Sequence, residues 1–186
     1  MKKFFFDVGA NVGQTFDDFL LVDKSARWTD YHIVCIEPSP RHLDGLLRSA
    51  AKHARRFQGI TVIPTAVGSV TSVVPFYPME GTGLADSLDP RFRTPLRLGY
   101  GIQVPVRQLS VIMARFLQDR KDEAVVKIDT EGGEYEILPD LLSELHRIKR
   151  LLVEWHPYDD PERISAEKHL REIFATRGVP LEAWTL

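Results

Sequence analysis

The sequence predicts an α/β fold in which a mostly parallel sheet carries helices on both faces. The pattern of apolar residues predicts this fold, and the length of the chain predicts the number of domains. Apolar runs of strand length alternate with stretches in which apolar residues recur at helical spacing. The chain has 186 residues, of which 44% are hydrophobic, so it can build one sizeable core and is too short for two ordinary domains. A single domain spanning residues 1–186 is therefore expected.

The first third of the chain predicts three strands and two helices. An apolar run at residues 3–8 indicates the first strand, "HIVCIEP" indicates a second strand that ends at Glu37, and "ITVIPTAVG" indicates a third. Apolar residues at helical spacing follow the first two strands. They are Phe16, Phe19 and Leu20 in the first helix, and Leu43, Leu46, Leu47, Ala50 and Ala54 in the second.

Residues 68–110 interrupt this alternation and are interpreted as an inserted flap on the substrate side. The stretches "VTSVVPFYP" and "IQVPVRQL" predict short extended segments around a loop rich in glycine, proline and arginine. Specificity residues commonly lie in loops that close over a site. Arg91, Arg93 and Arg97 are therefore expected either to meet a phosphate or carboxylate of the substrate or to be solvated.

The remainder of the chain predicts two more strands, two helices and a final strand. The stretches "AVVKID" at residues 124–129 and "RLLVEWH" indicate strands, separated by helical spacing from Leu138 to Leu145. The last helix has the clearest ends, because Asp160 can cap it, Pro161 suits its first position and Gly178 can close it. The residues that follow suffice for one further strand.

Four acids are expected to meet at one edge of the sheet. Asp7, Glu37, Asp129 and Glu154 each stand at the carboxyl end of a predicted strand, and ligands of open parallel sheets bind beyond these ends. The turn after the first strand has the spacing D-x-G-x-x-x-G, whereas a dinucleotide-binding turn would have G-x-G-x-x-G. The spacing therefore argues against a pyrophosphate.

The charge of Asp7 favours a cofactor that is cationic and has no phosphate. Two like charges about 4 Å apart, at an effective dielectric constant near 20, repel by about 4 kcal/mol. S-adenosylmethionine has no phosphate, and its amino group and sulfonium are cationic. Gly9 would let the backbone approach it closely, and Glu37 can accept both ribose hydroxyls. The alternative roles of the two acids are a helix cap and a solvated strand end.

An ordered set of motifs resembles the FkbM-type family of class I S-adenosylmethionine-dependent methyltransferases. The resemblance spans residues 4 to 156 and is carried by "DVGANVGQTF", "IEPSPRHLDGLL", "TAVGS", "GLADSL", "VPVRQL", "KIDTEGGEYEIL" and "LLVEWH". It implies a Rossmann-like methyltransferase sheet with the methionine moiety near the first turn, the ribose at Glu37 and the adenine near Ser39 and Ala66. The cofactor-binding residues so expected are Asp7, Gly9, Ala10, Asn11, Gly13, Glu37, Pro38, Ser39 and Ala66.

The catalytic candidates stand at the ends of the fourth and fifth strands. The resemblance implies that Asp129 and Glu131 flank the transferable methyl group. His156 is the first candidate for a general base, because an imidazole with an ordinary pKa near 6.5 accepts a proton at neutral pH. A rim histidine that only binds the backbone is the alternative. A structural ion pair is favoured for Lys127 and Asp129.

A divalent cation is an alternative that the sequence does not favour. Asp129, Glu131 and Glu134, near Glu154 and His156, present the oxygen-rich ligands that a hard cation prefers. Glu134 is more simply explained as an acid in the first turn of a helix, where the helix dipole favours it. No metal ligand is therefore assigned.

Composition excludes several classes of partner. The 24 basic and 26 acidic residues nearly balance, which argues against duplex nucleic acid and an anionic membrane. The basic residues on the second helix, Arg41 to Arg56, are interpreted as a solvated face. A single cysteine, Cys35, lies in an apolar run and fits a buried thiol in a reducing cytoplasm. The oligomeric state is left open.

The function expected is methyl transfer from S-adenosylmethionine to a hydroxyl of a sugar, nucleotide sugar or related small molecule, which could be anionic. Two alternatives are kept. One is a noncatalytic subunit that binds S-adenosylmethionine, and the other is a nucleotide-dependent oxidoreductase, which the missing G-x-G-x-x-G disfavours.

Overall fold

A six-stranded, entirely parallel sheet forms the centre of the protein. The computed structural model describes residues 1–17, 27–77, 86–88 and 101–184. The strands of this sheet are β1 (Lys3–Val8), β2 (Tyr31–Ile36), β3 (Gly59–Ile63), β7 (Glu123–Ile128), β8 (Ile148–Val153) and β9 (Leu181–Ala183). Their order is β3-β2-β1-β7-β8-β9, and the predicted parallel α/β fold is confirmed.

Helices cover both faces of this sheet. The helices whose two ends lie within the described residues are α1 (Pro40–His53), α2 (Leu109–Phe116), α3 (Glu134–Ile137) and α4 (Pro161–Thr176). Side chains of α1 pack with Phe5, Ile33 and Cys35 on one face. Side chains of the other three helices pack with Phe4, Phe6 and further strand residues on the opposite face. Because successive strand residues point to opposite faces, strands β1, β2, β7 and β8 contribute to both cores.

A second, three-stranded sheet is formed by two strands of the predicted insert and by the end of the predicted third strand, which separates from the main sheet. Its strands are β4 (Ala66–Val67), β5 (Ser72–Phe76) and β6 (Ile102–Arg107), in the order β4-β6-β5. Strands β5 and β6 pair antiparallel and confirm the two extended segments predicted there. A small core of Ala66, Phe76, Val104 and Val106 holds this sheet together. The flap arginines and the first half of the "GLADSL" motif, residues 83–85, lie outside the described residues.

Most predicted helices are present, with different boundaries. Phe19 and Leu20 of the first predicted helix lie outside the described residues. On α1, the buried face consists of His42, Leu46, Ala50 and His53, while Leu47 is 54% exposed. The face therefore follows the spacing i, i+4, i+8, and the prediction for Leu47 was wrong. The predicted leucine-rich helix is only partly α-helical, because 3₁₀ turns replace it from Leu138 to Arg147.

Helix α4 begins and ends where its sequence indicates. The Asp160 side chain accepts a hydrogen bond from the backbone N–H of Glu162, and Pro161 occupies the first turn. Gly178 follows the helix with a φ of +81°, the left-handed conformation that glycine adopts at helix ends. Within the described ranges, no helix is sufficiently long and apolar to span a bilayer.

Candidate functional site

A cavity of about 380 Å³ lies beyond the carboxyl ends of β1, β2, β7 and β8. Strand ends supply its polar rim, because parallel strands all end at the same edge of the sheet. The described residues that form its acidic wall are Glu37, Asp86, Asp129, Glu131 and Glu154. Ile36, Ala66, Val67, Phe76 and Leu88 contribute apolar surface. Acidic strand ends and an apolar slot therefore share one cavity.

The turn after β1 brings the backbone against the end of β7. Gly9 has a φ of +78°, and a Cβ atom placed on it would lie 1.7 Å from the carbonyl oxygen of Asp129. The N–H groups of Gly9 and Ala10 both donate to the carbonyl oxygen of Ile36 at the end of β2. The turn is thus fixed between two strand ends, and only glycine fits at its first position.

Asp7 does not present its charge to the cavity as the sequence argument assumed. Its side chain is buried, with 1% of the residue exposed, and it is not among the described residues that line the cavity. Lys127, directly opposite it in the sheet register, places its Nζ atom 3.1 Å from Asp7 Oδ1. Lys127 is therefore the counter-charge of Asp7, which corrects the interpretation of Asp7 as a direct partner of a cationic ligand.

Lys127 joins three groups at the floor of the cavity. Its Nζ atom also lies 3.2 Å from Asp129 Oδ2 and donates to the carbonyl oxygen of Gly9 at 3.0 Å. Burial disfavours its charge, but the carboxylates of Asp7 and Asp129 outweigh burial and raise the pKa of Lys127 to about 12. The expected ion pair between Lys127 and Asp129 is present, and Lys127 stays charged at neutral pH.

Glu37 is held in place by backbone hydrogen bonds. Its Oε2 atom accepts from the N–H of Asn11 at 2.8 Å, and its Oε1 atom accepts from the N–H of Ser39 at 2.7 Å. Each carboxylate oxygen has further acceptor capacity, since one oxygen accepts more than one hydrogen bond. Glu37 thus has the fixed orientation and the remaining lone pairs that binding a diol needs.

His42 and Asp86 lie next to Glu37 and belong to the same group of side chains. Neither residue is predicted from the sequence to have a role in the site. His42 Nδ1 lies 3.4 Å from Glu37 Oε1, and its Nε2 atom lies 4.0 Å from Asp86 Oδ2. The hydrogen bond with Glu37 raises the pKa of His42 against the opposing effect of burial, and the charges of Glu37 and Asp86 add to it. The Ser39 hydroxyl donates to Asp86 at 3.0 Å. Residue 86 of the insert is thereby fixed to the end of β2.

The cavity brings together part of the predicted cofactor set. Among the described residues, its lining includes Gly9, Asn11, Glu37, Pro38 and Ala66 from that set. The remaining members lie in the surrounding structure and do not line it: Asp7, Ala10, Gly13 and Ser39. Gly13 packs beside the Phe16 ring with a φ of +87°, and Ser39 is fully buried under Asp86.

His156 lies within a ring of carboxylates beside the cavity. Its Nδ1 atom is 3.2 Å from Glu134 Oε1, and its Nε2 atom is 3.7 Å from Glu131 Oε2, 3.9 Å from Glu154 Oε1 and 4.0 Å from Asp129 Oδ1. Burial lowers the pKa of His156, but the hydrogen bond to Glu134 and the neighbouring charges raise it to about 9. His156 therefore carries its proton at neutral pH, contrary to the ordinary pKa on which its prediction as a general base relied.

Glu134 forms the base of this ring. It is fully buried, and its Oε1 atom accepts from the N–H and hydroxyl of Thr130 and from the N–H of Gly132. These bonds close the turn between β7 and α3. Glu134 lies in the first turn of α3, where the sequence placed it, and its carboxylate also orients His156.

Tyr158 is a member of the site that no sequence pattern indicated. Its hydroxyl donates to Glu131 Oε2, and its ring stacks on His156 with centroids 5.5 Å apart. Burial and the bond to Glu131 raise the pKa of Tyr158 above its ordinary value. Tyr158 and Asp159 both have positive φ angles, as does Glu131. Such backbone conformations in residues other than glycine are costly and concentrate at functional sites.

Asp129, Glu154 and His156 could together hold a metal ion. One potential ligand atom from each of these residues lies within 4.8 Å of the others. Two cations already offset part of the negative charge here, because Lys127 contacts Asp129 and the raised pKa of His156 keeps its imidazole protonated. A metal would have to displace a proton from His156 before that nitrogen could serve as a ligand.

Comparison with known proteins identifies one family. The model of the methyltransferase FkbM domain matches residues 7–179. A comparison with curated proteins gave no match. Among solved structures, the methyltransferase FkbM from Methylobacillus flagellatus KT is 19% identical, with a TM-score of 0.47. That match covers 75% of this chain and 29% of the other.

Proposed function

This chain belongs to the FkbM methyltransferase family, and from that membership we propose that it transfers the methyl group of S-adenosylmethionine to a hydroxyl of a sugar, nucleotide sugar or related small molecule. The acidic wall of the cavity is the observation that carries the proposal. Five carboxylates face the cavity, and among its described lining residues only Lys127 and His42 are basic. Lys127 is already paired with Asp7 and Asp129.

This charge distribution fits S-adenosylmethionine better than a phosphate-bearing cofactor. A phosphate would face five carboxylates that Lys127 and His42, the basic residues of the described lining, offset only in part, whereas a sulfonium and an ammonium group would be attracted to them. The sequence favours the same cofactor, but in the structure the acids that support this choice are those of the cavity wall and not Asp7. When bound, the cofactor supplies a methyl carbon made electrophilic by the adjacent positively charged sulfur.

The residues present can hold each part of that cofactor. Glu37, fixed by the N–H groups of Asn11 and Ser39, would accept the ribose hydroxyls. Apolar side chains at Ile36, Ala66 and Val67 would contact the adenine ring. The turn from Gly9 to Asn11 would receive the methionine moiety.

A carboxylate, and not His156, would take the proton of the acceptor hydroxyl. Burial raises the pKa of Glu131, while the hydrogen bond from Tyr158 and the charge of His156 act in the opposite direction. A carboxylate with a raised pKa is a stronger base than an ordinary one, and Glu131 lines the cavity. Protonated His156 would hold Glu131, Glu134 and Asp129 in place. General-base catalysis of this kind contributes roughly 10²- to 10⁴-fold to a rate.

The proposal is tested by separating cofactor binding from turnover. Titration calorimetry should detect binding of S-adenosylmethionine and S-adenosylhomocysteine to the protein and to its Glu131→Gln variant, with affinities that agree within about threefold. Release of S-adenosylhomocysteine with an accepted substrate should fall about 10²-fold or more in the variant. Turnover that persists in EDTA argues against the metal alternative. Absence of heat with either ligand contradicts the proposal, and binding without turnover supports the noncatalytic alternative.

A further inference from the structure

A second cavity, of about 540 Å³, opens beside the first. Its walls come from the small sheet of the insert and from the turn before α3. Val67, Val74 and Val106 give it apolar surface, and Ser72, Gly133 and Glu136 stand at other points of its lining. Its volume lies in the range of small-molecule sites, about 300 to 1,000 Å³.

The two cavities adjoin each other. Val67, Leu88 and Gly133 line both of them. Gly133 follows Glu131 by two residues, and Glu131 lines the first cavity. A molecule bound in the second cavity would therefore lie close to Glu131, with the residues shared by the two cavities beside it. Transfer between two bound molecules requires them to lie next to each other, and adjoining cavities meet that requirement.

The polar groups of the second cavity favour an uncharged ligand with hydroxyl groups. Glu136 is the only charged residue among its described lining residues, and its carboxylate would repel a phosphate or carboxylate placed beside it. The Oγ atom of Ser72 is buried and has no hydrogen-bond partner in the described part of the chain. Such an atom is unfavourable unless a ligand satisfies it. Hydroxyl groups can donate to Glu136 and bond with Ser72, while the C–H faces of a sugar ring pack against valine side chains.

We propose that the second cavity is the acceptor site and that it takes the uncharged sugar or polyol portion of the acceptor. The inference rests on the proposed methyl transfer, because it assigns the second substrate of that reaction. Any anionic group of the acceptor lies outside this cavity.

The experiment compares two substitutions on one strand. Val74→Trp fills the cavity, whereas Val73→Trp is its control, because Val73 is 66% exposed and is not among the described lining residues. Methyl α-D-glucopyranoside serves as the neutral probe and glucose 6-phosphate as the anionic probe. Saturation-transfer NMR, with S-adenosylhomocysteine present, measures probe binding, and calorimetry measures binding of S-adenosylhomocysteine itself.

We expect the neutral probe to bind the unmodified protein at least tenfold more tightly than the anionic one. Val74→Trp should weaken that binding tenfold or more, with the affinity for S-adenosylhomocysteine changed by less than twofold, and Val73→Trp should leave both unchanged. Glu136→Lys should shift the preference toward glucose 6-phosphate, while Glu172→Lys on the exposed side of α4 should not.

Four results would overturn the inference. They are equal binding by the two tryptophan variants, preference of the unmodified protein for glucose 6-phosphate, an unchanged preference in Glu136→Lys, and binding of S-adenosylhomocysteine without binding of the neutral probe. If the unmodified protein does not bind S-adenosylhomocysteine at all, the proposed function itself is contradicted, and the inference about the second cavity is contradicted with it.

Discussion

At the scale of single residues, the central feature is a buried lysine between two aspartates. Lys127 is 3% exposed and Asp7 is 1% exposed. Taking both charges out of water is costly, and their attraction and the bond to the Gly9 carbonyl offset that cost. Removing one partner leaves the other charge buried and uncompensated. The pair therefore matters more to stability than an exposed ion pair such as that of Lys149 with Glu123.

Lys127→Met is expected to destabilise the protein by about 3–5 kcal/mol, the usual cost of breaking a buried ion pair from one side. Urea unfolding measures the change. Lys149→Met is the matched control, because the Lys149 side chain is 57% exposed, pairs with Glu123, and should contribute at most about 1 kcal/mol. Adding Asp7→Asn to Lys127→Met should restore part of the loss. A double variant no more stable than Lys127→Met would show that Asp7 is not the partner that matters.

His156 makes stability depend on pH in a defined direction. Its pKa is about 9 in the folded protein, against about 6.5 in an unfolded chain. The folded state therefore binds the proton more tightly than the unfolded state does. The resulting stabilisation is fully present below pH 6.5 and is lost as the pH rises through 9.

The free energy of unfolding should fall between about pH 6.5 and pH 9, and His156→Gln should flatten that fall. Urea unfolding in EDTA at a series of pH values provides the measurement. His169→Gln is the control, because His169 is exposed on α4. Parallel pH profiles for the unmodified protein and His156→Gln would contradict a raised pKa for this residue.

At the scale of elements, the turn after β1 connects strand packing to the site. Gly9 touches the carbonyl oxygen of Asp129, which follows β7, and its N–H binds the end of β2. The turn thereby fixes the distance between the strand ends that carry Glu37 and Asp129. Gly178 has a similar φ angle, but a Cβ atom placed on it would meet no atom of the described residues within 4 Å. Replacing Gly178 therefore measures the energetic cost of the left-handed backbone conformation alone, whereas replacing Gly9 adds the cost of a steric clash.

Gly178→Ala should cost about 1–2 kcal/mol, the penalty of a left-handed conformation for a residue with a Cβ atom. Gly9→Ala should cost more, on the order of 3 kcal/mol or above, since its Cβ atom would also overlap the Asp129 carbonyl. Thermal and urea unfolding of both variants provide the comparison. The Gly9 variant should also bind S-adenosylhomocysteine more weakly, while the Gly178 variant should bind it normally. Equal stabilities for the two variants would contradict the close packing of this turn.

At the scale of the whole molecule, the parallel sheet gathers distant parts of the chain at one edge. Residues at positions 37, 129 and 154 meet there because each follows a parallel strand. The insert closes one side of the site: the hydroxyl of Ser87 donates to the carbonyl oxygen of Glu131, and Asp86 accepts from Ser39. A ligand in the first cavity would therefore contact three separate regions of the chain, and its binding should stabilise the molecule as a unit.

Saturation with S-adenosylmethionine or S-adenosylhomocysteine, at about 100 times the dissociation constant, should add about 2.7 kcal/mol to the free energy of unfolding. For a protein of this size, that corresponds to a rise in Tm of about 5–10 °C. NAD at the same concentration should produce no shift, because its pyrophosphate would meet the acidic wall. A thermal scan with the three ligands in parallel checks this, and a shift with NAD alone would favour the oxidoreductase alternative.

Local patterns in the sequence determined the class of fold, the strands of the main sheet and both ends of α4. Strand periodicity, a capping aspartate and a glycine beyond a helix act within a few residues, so they can be recognised without knowledge of packing. The same patterns placed four acids at strand ends and therefore near a common site.

Only the tertiary structure decided what those acids contact. Asp7 and Lys127 are far apart in the chain, and their pairing depends on β1 lying beside β7. His156 keeps its proton because the surrounding carboxylates outweigh the effect of burial, and Tyr158 reaches Glu131 through a loop with left-handed backbone. Charge pairing and pKa depend on distances between groups and on exclusion of water, and both are set by packing between elements remote in sequence.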